Sequence, residues 1–237
     1  MRHKRQRTRA FRLRKNWLFV DKDVNTDRLI DVLSANLEPV KRGQLEKALA
    51  LAMVVGGVAA FVLMLTTVGP RSHFELTPHL EWTAAKLFFA LSIICTGAPF
   101  LIRAIRPGRE NEARWAFLFF PLAAAIALTV VILLLGRDAW GTPLGARELS
   151  SARCIFCVLF FAAIPFAALG WALRQGAPTR LTLCGAIAGI VAGGLGAAAY
   201  ALACNSDTVP FIAIWYSGAI ALCGVIGARL GPRFLRW

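Results

Sequence analysis

Six apolar stretches dominate the chain after residue 47, at 48–68, 84–102, 115–135, 154–173, 181–203 and 209–228. Each is close to the ~20 residues that a helix needs to cross a ~30 Å hydrocarbon core. The connections carry the Gly, Pro and charge that interrupt such runs, as in GPRSHFELTPHLEW, RAIRPGRENEAR and GRDAWGTPLGARELSSAR. This pattern predicts an all-α integral membrane protein, a bundle of six transmembrane helices. The fourth and fifth stretches are joined only by the basic turn RQGAPTR, residues 174–180. They predict a hairpin of two equal arms, with Cys154 starting one arm and Cys204 ending the other at the same side of the membrane.

A different periodicity precedes the first span. In NTDRLIDVLSANLEPV, residues 25–40, Leu29, Leu33 and Leu37 recur every fourth position on an otherwise polar background. That spacing gives one apolar face on a short amphipathic helix. Asn25 or Thr26 caps its start, Asp27 favours its first turn, and Pro39 ends it. A helix of this kind lies on the bilayer, packs beneath the spans, or docks its leucines into a groove of a soluble partner. Periodicity leaves these open.

Composition agrees with the membrane reading: 57% of residues are apolar and the mean hydropathy is +0.60. The formal charge of +14 raises the question of nucleic acid, but the cations flank apolar runs, as topology signals do. Lys and Arg number 22 in residues 1–47, 103–114, 174–180 and the tail, against four in the alternate connections. The positive-inside rule then predicts both termini in the cytoplasm. Lys86, just inside the second span, is expected to snorkel outward along its stem. Three regions follow: a basic arm at 1–20 that is disordered or surface-seeking, a cytoplasmic segment at 21–47, and a six-helix membrane domain at 48–237.

The spans lack Asp, Glu, Arg and His at mid-depth, which argues against an ion-coupled transporter or a membrane catalyst. No phosphate-binding loop, dinucleotide fingerprint or metalloprotease motif occurs in a usable context. The chain is expected to be neither an enzyme nor the holder of a cofactor. His73 and His79 share a loop at a spacing outside the zinc patterns and read as solvated. Cys95, Cys184 and Cys223 read as small packing residues. Gly185, Gly189 and Gly193 recur every fourth position and predict close approach of the fifth span to a neighbour.

Cys154 and Cys204 carry the candidate chemistry. The predicted hairpin places both at helix ends near water, with Cys157 one turn deeper than Cys154. A disulfide requires Cα atoms within about 7 Å; two thiolates also suit a soft metal ion. Coincidence is the third reading. Cys154-Ile-Phe-Cys157 matches CxxC, but it enters an apolar span and not a thioredoxin-like unit. A small transporter and a thiol–disulfide membrane protein are the competing classes.

The stretches TDRLIDVLSANLEPV, RCIF (153–156), ALRQGAP (172–178) and ALACNSDTVPFIAIWY with the terminal FLRW together resemble the NrsF family, over roughly residues 25–237. These are negative regulators of sigma factor F, six-span anti-sigma factors of the bacterial inner membrane. The resemblance implies that the cytoplasmic segment holds an extracytoplasmic-function (ECF) sigma factor, through Thr26, Asp27, Leu29, Ile30, Leu33, Pro39 and Val40. It further implies that Cys154 and Cys204, facing the periplasm, sense heavy-metal or oxidative stress, as a disulfide pair or as metal ligands. Pairing within one chain or between two copies of a homodimer stays open, and no direct contact with nucleic acid is expected. Members often have His-Cys-Pro where this chain has Ala203-Cys204-Asn205, so no histidine joins the site at that position. Cys157 is an additional thiol, an auxiliary or a competitor of Cys154, and the basic arm has no expected counterpart.

Overall fold

The computed structural model describes residues 30–31, 43–69, 78–105, 123, 148–176, 178, 180–204 and 212–234. The chain divides into two compact units, 1–42 and 43–237. In the first unit only Ile30 and Asp31 are described, both helical and exposed. Thr26, Asp27, Leu29, Leu33, Leu37, Pro39 and Val40 lie outside the described residues, as does the basic arm. So does the expected third span, 115–135, apart from a helical Ala123.

The second unit is all-helical among its described residues. It comprises α1 (Gln44–Thr67), α2 (Pro78–Ile105), α3 (Glu148–Arg174), α4 (Leu181–Ala201), a π-helical turn (Ile212–Tyr216) and α5 (Ser217–Phe234). All five α-helices contain a stretch long and apolar enough to cross a membrane. Glycines bracket α1. Gly43, at φ 86°, accepts from the Lys47 amide at 3.0 Å, and Gly69, at φ 75°, donates to the Met64 carbonyl at 3.0 Å. Both sit in the left-handed region that glycine enters without strain. The expected hairpin is present: α3 ends at Arg174, a turn through Gln175 and Gly176 follows, and α4 starts at Leu181. The Arg174 Nε donates to the Phe234 carbonyl at 2.6 Å, joining the far ends of α3 and α5.

Helix α4 is the axis of the bundle. In it 61% of the spanning residues are buried, against 28% in α1. Its Gly/Ala sequence explains this, because small residues let several helices approach at once. Gly185 and Gly189 face α5: a Cβ on Gly185 would lie 2.8 Å from the Gly231 Cα, and one on Gly189 would lie 2.9 Å from the Cys223 carbonyl carbon. Gly196 faces α3, where a Cβ would lie 2.7 Å from the Ala162 amide nitrogen. Gly194 faces α2, with Ile94 at 2.9 Å. The expected close approach of Gly185, Gly189 and Gly193 is therefore made, and its partner is α5.

The outward faces carry Val54, Val58 and Val62 of α1, Phe88 of α2, Phe156 and Trp171 of α3 and Val225 of α5, all exposed. An apolar belt of this extent is untenable in water and ordinary against lipid tails.

The α4–α5 contact yields a test. Gly189→Ala places a methyl against backbone, which cannot rotate away, whereas Gly170→Ala on α3 meets nothing within 4 Å. Gly189→Ala should destabilise the bundle by about 1–3 kcal/mol. Gly170→Ala should be neutral or stabilising by up to about 1 kcal/mol. Thermal unfolding of both variants in detergent reads the contrast.

Candidate thiol site

Helix α3 begins at Glu148, six residues before Cys154, so this cysteine lies in the helix's second turn and not at its tip. At the end of α4 the backbone continues for one more turn, with the Ala203 and Cys204 amides both bonding to the Tyr200 carbonyl at 3.0 Å. Cys204 rides on that turn. The hairpin brings its side chain beside Cys154 within one chain, in one buried cluster. Neither is at water, contrary to expectation: Cys154 is 0% exposed and Cys204 4%. Neither is in a disulfide. The cover comes from all five helices, including Met64 of α1, Phe89 and Ile93 of α2, Val158 of α3, Ala197 of α4 and Ile220 of α5.

Lys86 is the second departure. It does not snorkel outward: it is 0% exposed, and its Nζ donates to the Cys204 carbonyl at 3.1 Å. The cause lies at the end of α4. A helix leaves its last carbonyls without intrahelical donors and carries partial negative charge there, and a lysine ammonium satisfies both needs. Lys86 thus caps α4 from a neighbouring helix, and its charge acts on the Cys154 thiol.

Two tyrosines complete the cluster, and they are the only two in the chain. Tyr216 is fully buried, set by the π-helical turn that opens α5, and its side chain reaches the Cys204 thiol. Tyr200 stands beside the Cys157 side chain and packs on Phe161 with ring centroids 6.3 Å apart. Cys157 is half-buried and stands beside the pair. Arg153 acts on both Cys157 and Tyr200.

The arrangement offers a juxtaposed dithiol in a shielded core with a cation beside it. Two thiols already side by side are placed to exchange two hydrogens for a disulfide. As a metal site it is thinner: among the described residues no group of three or more His, Cys, Asp or Glu converges. The remaining cysteines divide. Cys223 packs under Gly189 and Gly193 as a small core residue, as expected, and Cys95 is exposed on α2. Cys184 does more than pack, donating from its Sγ to the Ala104 carbonyl at 3.3 Å. Helix α2 is therefore tied to α4 at both ends, by Lys86 at the thiol end and by Cys184 at the other.

Sequence reading missed Lys86, Tyr200 and Tyr216. Signals existed for each: a lone lysine within an apolar span is a functional candidate by default, and both tyrosines flank Cys204 in the sequence.

Comparison with known proteins places the chain. The family model "NrsF: Negative regulator of sigma F" matches residues 33–237. An "Anti-sigma-F factor NrsF" of Caulobacter vibrioides (strain NA1000 / CB15N) is 32% identical over 221 residues, covering 90% of this chain and all of that protein. A "Probable anti-sigma-F factor NrsF" of Azospira oryzae (strain ATCC BAA-33 / DSM 13638 / PS) is 27% identical over 214 residues, covering 90% of this chain and all of that protein. No solved structure matches. With a family match across nearly all of the helical unit and a full-length relative above 30% identity, the chain belongs to the NrsF family, negative regulators of sigma F.

Proposed function

We propose that this protein is a membrane-bound anti-sigma factor that holds an ECF sigma factor through its segment 21–47 and releases it when the Cys154–Cys204 pair reacts. One observation carries the sensor half of this reading: two cysteines 50 positions apart in sequence lie side by side in one buried cluster of one chain. Family membership supports the partner half. The protein resides in the bacterial inner membrane with both termini cytoplasmic, as the distribution of 22 Lys and Arg against four indicates. The thiol end then faces the periplasm, where oxidising chemistry operates. Thr26, Asp27, Pro39 and Val40 frame the docking helix, and Leu29, Ile30 and Leu33 enter the partner's groove.

Reaction converts chemistry into movement. A disulfide draws the two sulfurs to about 2.05 Å, pulling the Cys204 turn towards α3. Helix α4 contacts α5 backbone to backbone, so it moves as a stiff body and carries α5 and the far end of the bundle with it. The hold on the sigma factor need change little, since about 1.4 kcal/mol alters the bound-to-free ratio tenfold.

The test uses full-length protein in detergent treated with hydrogen peroxide. Peptide mapping under non-reducing conditions should find Cys154 joined to Cys204 in a monomeric chain, with sigma factor lost from the complex. Oxidation that joins two chains, or that leaves both thiols free while sigma factor departs, refutes the proposed switch.

A further inference from the structure

Away from the thiols, a cavity of about 460 Å³ opens between α3 and α5, with Gly185 and Gly189 of α4 in its floor. Its lining runs from Leu159 to Arg174 on α3 and from Cys223 to Phe234 on α5. Those stretches are about 22 Å and about 16 Å of helix, so the slot is as long as one leaflet of a ~30 Å hydrocarbon core is deep. Glycine, alanine and larger apolar side chains make up the described lining, with Arg174 as its one charged residue. Water gains nothing in such a slot, since apolar cavities stay dry. An acyl chain fits it in length and in chemistry.

Charge at the open end says which lipid. Arg174 is exposed at the end of α3, and one of its five guanidinium donors is spent on the Phe234 carbonyl at 2.6 Å. The remaining donors form a fork that suits a phosphate. Arg229 and Arg233 are exposed and each precedes a lining residue, Leu230 and Phe234. From Cys154 to the C-terminus the one acid is Asp207, which follows the opposite, thiol end of α4. Trp171, also in the lining, is exposed one turn before Arg174, at the depth where interfacial tryptophans sit.

We infer that this cavity binds an anionic phospholipid of the cytoplasmic leaflet, its acyl chain between α3 and α5 and its phosphate on Arg174, flanked by Arg229 and Arg233. The site lies at the end of the bundle opposite the thiols. It depends on residence in a bilayer and on no property of the cysteine pair, so a failed oxidant response would leave it standing.

The test offers full-length protein in detergent equal amounts of phosphatidylglycerol and phosphatidylcholine with identical acyl chains, and counts retained lipids by native mass spectrometry. The parent should hold one phosphatidylglycerol about tenfold more tightly than phosphatidylcholine. Arg174→Gln should cut that preference about fivefold, and Arg174→Lys should keep most of it. Arg103→Gln removes an exposed cation from the cytoplasmic end of α2, outside the cavity, and should change nothing. Gly170→Phe fills the slot from a lining position where a Cβ meets nothing within 4 Å, and should lose the bound lipid. Equal retention of the two lipids by the parent overturns the site. So does an Arg103→Gln effect as large as that of Arg174→Gln, which would mean an anionic lipid held by general surface attraction only. Undiminished lipid on a folded Gly170→Phe chain would place the acyl chain elsewhere and overturn it too; should that variant not fold, the contrast between Arg174→Gln and Arg103→Gln decides.

Discussion

Cys154→Ser/Cys204→Ser is expected to leave the protein locked in its holding state, so that a promoter driven by the sigma factor stays at its unstressed level under oxidant. Serine matches cysteine closely in size, so the shielded core around Met64, Phe89 and Val158 keeps its packing. What disappears is the ability to form the covalent bond. Single substitutions should give nearly the same loss, because a disulfide needs both partners and the two residues act as one unit. Cys157 is the informative exception. It stands beside Cys154 and Tyr200. A Cys154→Ser chain that retains part of its response would show Cys157 bonding to Cys204 in its place. The measurement is promoter activity with and without peroxide in cells carrying each variant, and full induction in the double variant would refute the sensor assignment.

The second large effect belongs to the amphipathic segment. Leu29→Asp/Leu33→Asp removes two of the leucines proposed as anchors and puts charge where the proposed groove is apolar. Losing about 2 kcal/mol of burial at each site weakens binding by about a thousandfold. Cells carrying this variant should express the sigma factor's genes constitutively, stressed or not, while membrane levels of the protein stay normal. The two variants thus fail in opposite directions, one locked and the other permanently released. A merely misfolded protein would give the released outcome in both cases.

Much of the bundle could be read from local pattern because it depends on local chemistry. The turn at 174–180 declares itself through Arg, Gly and Pro between two apolar runs, and the hairpin it closes brings Cys154 and Cys204 to one end. Gly185, Gly189 and Gly193 announce a close helix contact through their spacing alone. What pattern could not supply was the partner: that α5 receives those glycines depends on how five helices pack. Lys86 shows the same limit more sharply. A lysine near a span's end snorkels if lipid surrounds it and turns inward if an uncapped helix end lies within reach. Only the position of the α4 terminus decides which. Tyr216 is placed by a π-helical turn, a local irregularity with no periodic signature. The exposure expected for both thiols failed for the same reason, since their cover comes from residues distant in the sequence.

The central claim is that chemistry at one end of the bundle controls a protein held at the other. Its most direct test is capture of the cognate sigma factor by the full-length protein in detergent, before and after hydrogen peroxide. The parent should retain the sigma factor when reduced and shed most of it when oxidised. Cys154→Ser/Cys204→Ser should retain it in both conditions. Capture that is indifferent to oxidation in the parent, despite a formed Cys154–Cys204 disulfide, would separate the thiol pair from the partner and contradict the account.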